Sequence, residues 1–222
     1  MMAKAIQWSE PTDRQSIFLQ EYGIIYKGEL ALDMHIGGGY MDTATHALVG
    51  LICGELAPKD IKHRHLIGLG FGMLPDITNL IFVHPYLGWL AGHTIPFAGG
   101  QDFLDFPQIL DHWTYHVWLL SHSLLFWAIA FLPFCRRSRT AQLAAVAYAS
   151  HLIADIPSHT GIYGLEPLYP IPYIFDGWFD AWLWGPGPIL LSIVGTALLY
   201  VLVRQLRKQY LWPSERILKN SI

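Results

Sequence analysis

The chain has 222 residues, of which 53% are hydrophobic and only 14% charged. A soluble domain carries about 25% charged residues, so this chain has too little polar surface to cover a water-soluble globule of its size. The net charge of -3 argues against a nucleic-acid binder, which needs a basic face to displace counterions. Two separated cysteines, Cys53 and Cys135, make neither a disulfide framework nor a zinc knuckle.

The first forty residues mix charges with scattered apolar residues and carry no secretory signal pattern. They are expected to form an N-terminal extension, with 41–212 as the membrane-embedded domain and 213–222 as a cytoplasmic tail. Met41, preceded by Gly37-Gly38-Gly39-Tyr40, is an alternative start. Five apolar segments follow: Thr43 to Ala57, Leu66 to Val83, His116 to Phe134, Ala141 to Ile156, and Pro186 to Val203. A membrane-crossing helix needs about 20 residues, within a range of about 17–25. The last segment meets that without a charge; the first and fourth are short and are expected to tilt or to pack on their neighbours. The period is helical throughout. The predicted fold is an all-α, integral membrane helical bundle of about five apolar helices.

Basic residues orient such a bundle. Lys59, Lys62 and Arg64 follow segment one, Arg136, Arg137 and Arg139 follow segment three, and Arg204, Arg207 and Lys208 follow segment five. Five alternate crossings place all three clusters in the cytoplasm. The connections 85–115 and 157–185 then lie outside, and neither holds a Lys or Arg. Trp89, Trp113, Trp178, Trp182 and Trp184 in those connections read as an interfacial belt.

Eleven histidines in so apolar a chain need an explanation. His151 and Asp155 stand four apart, on one helical face, and both offer zinc-ligand atoms. A carboxylate within an apolar helix is costly and marks function. Asp42 or Thr43 can cap the first helix, leaving His46 one turn inside as a ligand candidate. Pro75 is expected to break its helix beside Asp76, an intramembrane acid in need of a metal or histidine partner. His112 and His116 share a face, whereas His122, six residues beyond His116, points elsewhere unless the helix is broken. His122 and then His116 are the preferred ligands of this group, with His112 as an outer candidate. His159, beyond Pro157, is weaker. His63 and His65 are expected to be solvated in a basic loop, and His35, His84 and His93 to be structural. Asp176 and Asp180 read as interfacial acids.

The succession Met41-Asp42-Thr43-Ala44-Thr45-His46-Ala47-Leu48-Val49-Gly50, Pro75-Asp76, Ser121-His122-Ser123, His151 to Asp155, and Thr160-Gly161 to Pro172 resembles a bacterial family: the membrane-bound, metal-dependent hydrolases of the inner membrane. Members of that family begin at the first motif, as a start at Met41 would. The family is distantly similar to zinc-dependent phospholipase C and to single-strand zinc nucleases. The resemblance implies His46, Asp76, His122, His151 and Asp155 as metal ligands, with Asp155 bridging. The chain departs from the family pattern at Thr78, where a second acid is common, and around His116-Val117 and Ser121.

The function expected is a multi-pass hydrolase of the bacterial inner membrane, its site facing the outer side. A divalent metal, zinc by expectation, is held by residues among His46, Asp76, His116, His122, His151 and Asp155. Asp76 and Asp155 are the expected catalytic acids. The bilayer is the expected partner, a lipid or other phosphoester the expected substrate, and no nucleic acid is expected to bind. The rival readings are a metal carrier or sensor and a purely structural membrane protein.

Overall fold

The computed structural model describes residues 38–210, so residues 1–37 of the N-terminal extension, with His35, and the 213–222 tail lie outside the described residues. Eight α-helices follow in order: α1 (Gly38–Leu56), α2 (Arg64–Thr78), α3 (His84–Leu90), α4 (Gly100–Asp105), α5 (Trp113–Ser121), α6 (Leu124–Cys135), α7 (Arg139–Asp155) and α8 (Pro186–Tyr210). Among the described residues there is no strand beyond one antiparallel bridge, Leu165 with Phe175. The apolar segments are therefore helical, as their periodicity predicts.

Three local expectations are corrected. α1 begins at Gly38, so Asp42 and Thr43 lie inside the helix and do not cap it. Pro75 does not break α2. The irregularity falls downstream instead, as a π turn at Asn79–Val83 that runs on into α3. Together they form one 27-residue helical span, Arg64–Leu90. The connection 85–115 is accordingly not all loop, since α3, α4 and a 3₁₀ turn at Pro107–Asp111 occupy much of it.

The closest packing is between α1 and α2, which run antiparallel. A Cβ added to Gly50 would collide with the Gly68 carbonyl, and one added to Gly68 with that of Gly50. Gly54 lies just as tightly on the Arg64 carbonyl and Gly72 on that of His46. Small residues four apart let helix backbones touch where hydrophobic burial offers no drive between them. α8 runs parallel to α1: Thr45 Oγ1 and Ser192 Oγ are 3.0 Å apart near one end, and Arg207 Nη2 donates to Ala57 O at 2.6 Å near the other.

The basic clusters meet at that second end. Arg139 Nη1 lies 2.9 Å from Asp60 Oδ2, joining the α6–α7 turn to the α1–α2 turn. Arg64 donates to the carbonyls of Glu55 and Ala57. The opposite end is covered by the long connections, which fold into an aromatic core around Val83, Leu87, Phe103, Tyr115, Trp118 and Trp182. Trp182 is thus buried rather than part of a belt, whereas Trp89, Trp113 and Trp178 are exposed.

The surface explains the composition. α6 buries no residue at all, and Leu190, Leu191 and Leu198 of α8 stand exposed. So continuous an apolar surface is stable against lipid and not against water. Two helical spans are long and apolar enough to cross a membrane, Arg64–Leu90 and Pro186–Gln209; α5 and α6 make a third if counted as one span bent by 52°. The apolar part of α1, Thr43–Leu56, is shorter.

The α1–α2 contact is open to test. Gly68→Ala is expected to lower the unfolding free energy by about 1–3 kcal/mol through overpacking, read by thermal unfolding in detergent. Gly70→Ala on the same helix meets nothing within 4 Å and is expected to be neutral or slightly stabilising, because alanine is the better helix former.

Candidate metal centre

Five side chains from four elements converge where α1, α2, α5 and α7 meet. His46 comes from α1, Asp76 from α2, His122 from the end of α5, and His151 and Asp155 from α7. They form two overlapping groups, His46–Asp76–His151 and His122–His151–Asp155, whose ligand atoms lie within 4.8 Å of one another in each group. His46, His122, His151 and Asp155 are almost wholly buried. Asp76 is the most accessible, with 17% of its side chain exposed.

The hydrogen bonds around the rings fix what faces the centre. His151 Nδ1 donates to Gly72 O at 2.8 Å, and His122 Nδ1 donates to Trp118 O at 3.0 Å. A carbonyl only accepts, so in each neutral ring the Nε2 atom presents a lone pair. Those two Nε2 atoms stand 3.2 Å apart. Asp155 Oδ2, also an acceptor, lies 2.9 Å from His151 Nε2 and 3.5 Å from His122 Nε2. Three acceptors facing one another need positive charge between them, whether a proton on one ring or a cation. Bonding the far nitrogen of each ring to a backbone carbonyl is also how metal-ligating histidines are oriented.

The spacing suits an ion. Bonds of about 2.0–2.2 Å to a tetrahedral centre set ligand atoms about 3.3–3.6 Å apart. Asp76 Oδ1 lies 3.6 Å from His151 Nε2 and 3.9 Å from His122 Nε2. With Asp155 Oδ2 these atoms bracket the required separation. The other oxygen of Asp155 lies 2.8 Å from His46 Nε2, and the His46 ring packs on that of His151 with centroids 3.8 Å apart. The carboxylate of Asp155 thus has one oxygen towards each histidine group.

Local structure explains how His122 reaches the centre. The helix breaks at His122-Ser123. Ser123 caps α6 by accepting from the Phe126 amide and donates to Tyr169 O at 2.9 Å, while the Leu124 amide donates to Pro167 O at 2.8 Å. Broken backbone at membrane depth requires such partners. His116 lies six residues before His122 on the same helix and faces away from the centre. Its Nδ1 lies 3.2 Å from the Tyr169 hydroxyl, and it belongs to neither ligand group. His112 stacks on Tyr86 with centroids 3.8 Å apart and caps α5. His159 accepts from Trp182 Nε1 at 2.8 Å and, through Nδ1, donates to Asp155 O at 3.1 Å. His84 is buried in the helical span, where it donates to Ala98 O, and His93 pairs with Asp102. His65 is not merely solvated, since its Nε2 lies 2.7 Å from Glu55 Oε2. Asp176 holds the Gly161 amide and Asp180 that of Trp182.

Supporting residues outside the candidate ligand set complete the site. Thr78 stands where an acid is common in the resembled family. Its hydroxyl donates to Pro75 O and meets Ser121 Oγ at 2.8 Å, tying α2 to α5. Tyr148 donates to Ser121 O at 2.6 Å, holding the last turn before His122 against α7.

The family described as YdjM inner membrane protein matches over residues 41–214, most of the chain and every residue of the centre. Neither curated proteins nor solved structures gave a match.

Proposed function

The chain belongs to the YdjM inner membrane protein family, and from the geometry of its buried histidines and acids we propose that it is a metal-dependent hydrolase whose centre lies inside the helical bundle. The observation that carries this reading is the 3.2 Å approach of two Nε2 lone pairs beside the carboxylate of Asp155. In this reading His122, His151 and Asp155 Oδ2 would hold one divalent ion and leave the side of Asp76 open to water, with zinc the best fit to a nitrogen and oxygen donor set at this spacing. His46, on the second oxygen of Asp155, orients that carboxylate or joins it in holding a second ion.

A divalent cation so held supplies Lewis acidity and lowers the pKa of coordinated water towards about 7. The chain supplies the rest. Asp155, buried between His46 and His151, positions ligands and neutralises charge. Asp76, at the one accessible edge, is placed to take a proton from water. The backbone carbonyls of Gly72 and Trp118 keep the two rings turned inward. The aromatic core around Trp118 and Trp182 covers the centre and limits water on that side.

The reading extends to five crossings with the centre towards the outer side. Its support is that Arg139–Asp60 and Arg207–Glu55 pairing gathers the basic clusters at one end. The centre is displaced from that end: Asp76 and Asp155 stand 12 and 16 residues into helices that start there, about 18–24 Å at 1.5 Å per residue. The substrate class is a phosphoester, with a lipid headgroup favoured by the lipid-facing surroundings. No Lys or Arg occurs in 85–115 or 157–185, so the phosphate would be neutralised by metal rather than by a cationic clamp. One observation favours a second reading, a metal carrier or sensor: four of the five side chains are almost wholly buried, as a closed binding site would require.

Two measurements decide. Purified protein is expected to retain divalent metal by elemental mass spectrometry, with His151→Ala losing most of it and His116→Ala keeping it. Negligible metal in the wild type would end both metal readings. Asp76→Asn is expected to lower turnover of phosphodiester or phospholipid substrates by about 10²–10⁴-fold, and Asp155→Asn to abolish it together with metal. A metal-loaded wild type that turns over none of these substrates yet moves metal into vesicles would establish the carrier.

A further inference from the structure

The end of the molecule remote from the histidines holds a second polar site. A cavity of about 410 Å³ opens where the last turns of α1 and α8 meet the first turn of α2. Five cations line it: Lys59, Arg64, Arg204, Arg207 and Lys208. Among the described residues Glu55 is the one carboxylate in the lining, which gives a formal charge of +4 from five positive groups and one negative.

Part of this cluster has a structural role. α1 ends at Leu56, and its last carbonyls lack helical partners. Arg64 Nη1 donates to Glu55 O at 3.2 Å and Ala57 O at 2.9 Å, and Arg207 Nη2 donates to Ala57 O at 2.6 Å. Glu55 adds contacts to Arg64 and Arg207 at 3.5 and 3.8 Å and to His65 at 2.7 Å. These bonds pin two guanidinium groups in place before any ligand arrives, one of them on an Arg207 that is only 5% exposed.

Capping does not account for Arg204 and Lys208. Both are exposed on the rim of the cavity, where they add positive charge to a site whose single carboxylate is already shared among Arg64, Arg207 and His65. Like charges gathered around a partly enclosed space repel, and an anion placed among them is strongly favoured. The helix that carries them is bare to lipid: only 6% of the apolar window of α8 is buried, and Leu198, Leu199, Leu202 and Leu206 are all exposed. Acyl chains lying along α8 would bring their headgroups level with its final turns. Tyr200, an amphipathic ring suited to the interface, lines the cavity on that side.

We propose that this basic cavity binds the phosphate group of an anionic phospholipid in the adjoining leaflet. Basic pockets between membrane helices recognise lipid phosphates in this way. The site is independent of the metal centre. It shares α1 with it, since Glu55 lies nine residues beyond His46, about 14 Å along the helix.

The test uses the full chain reconstituted in vesicles of equal phosphatidylglycerol and phosphatidylcholine, released into detergent and weighed by native mass spectrometry. The wild type is expected to retain one phosphatidylglycerol in preference to phosphatidylcholine. Arg204→Ala with Lys208→Ala is expected to lower that retention at least about tenfold. Arg204→Lys with Lys208→Arg, which keeps both charges, restores it and shows that loss of charge rather than of fold is responsible. Arg136→Ala with Arg137→Ala removes two exposed charges outside the cavity lining and is expected to leave retention unchanged. No preference in the wild type, or equal loss in the Arg136/Arg137 variant, would overturn the site. Displacement of the lipid by millimolar inorganic phosphate would make soluble phosphate the occupant and overturn the lipid assignment.

Discussion

The centre depends on α1 and α2 touching backbone to backbone. Gly50 and Gly68 face each other with no room for a side chain, and Gly72 lies against the His46 carbonyl. That contact brings His46 and Asp76 to the same level. It also leaves the Gly72 carbonyl open to His151 Nδ1, so the glycine that permits close approach is itself the acceptor that turns a ligand inward. Packing and chemistry meet in one residue. A wider helix pair would separate the ligands and leave the His151 ring without its orienting bond.

Much of the centre is legible in the sequence because its side chains obey local rules. His151 and Asp155 are four apart on a helix, and an acid at Asp76 in an apolar run demands a partner. The helical segments themselves follow from periodicity and length. What escapes a linear reading depends on distant partners. His122 can join the others only because the helix stops at Ser123, and that stop is secured by carbonyls of Pro167 and Tyr169. A serine in an apolar run carries no mark of such a break. His116 looks equivalent by type and neighbourhood, yet the break leaves it with Tyr169. Pro75 misleads in the other direction, since the helix continues past it and widens only at Asn79–Val83. Trp182 resembles an interfacial tryptophan until the connections fold over it.

The two polar sites answer to different constraints. At the histidine centre, lone pairs converge in a nearly sealed space, so positive charge must be imported. At the basic end, guanidinium and ammonium groups crowd a cavity around one carboxylate, so negative charge is what would relieve it. α1 and α8 run parallel and join both, through Thr45 and Ser192 at one end and through Ala57, Glu55 and Arg207 at the other. Between those polar clasps α8 offers mainly leucine and valine to its surroundings.

The break at Ser123 also bears on how the chain assembles. The Leu124 amide and the Ser123 hydroxyl find their acceptors in a stretch translated well after them. Until Pro167 and Tyr169 have been made, those two donors lack these acceptors, and the break rests on the local Ser123–Phe126 cap and on the Thr78 and Tyr148 hydroxyls at Ser121. The full set of bonds that fixes the break beside His122 is therefore complete only with the 157–185 connection in place.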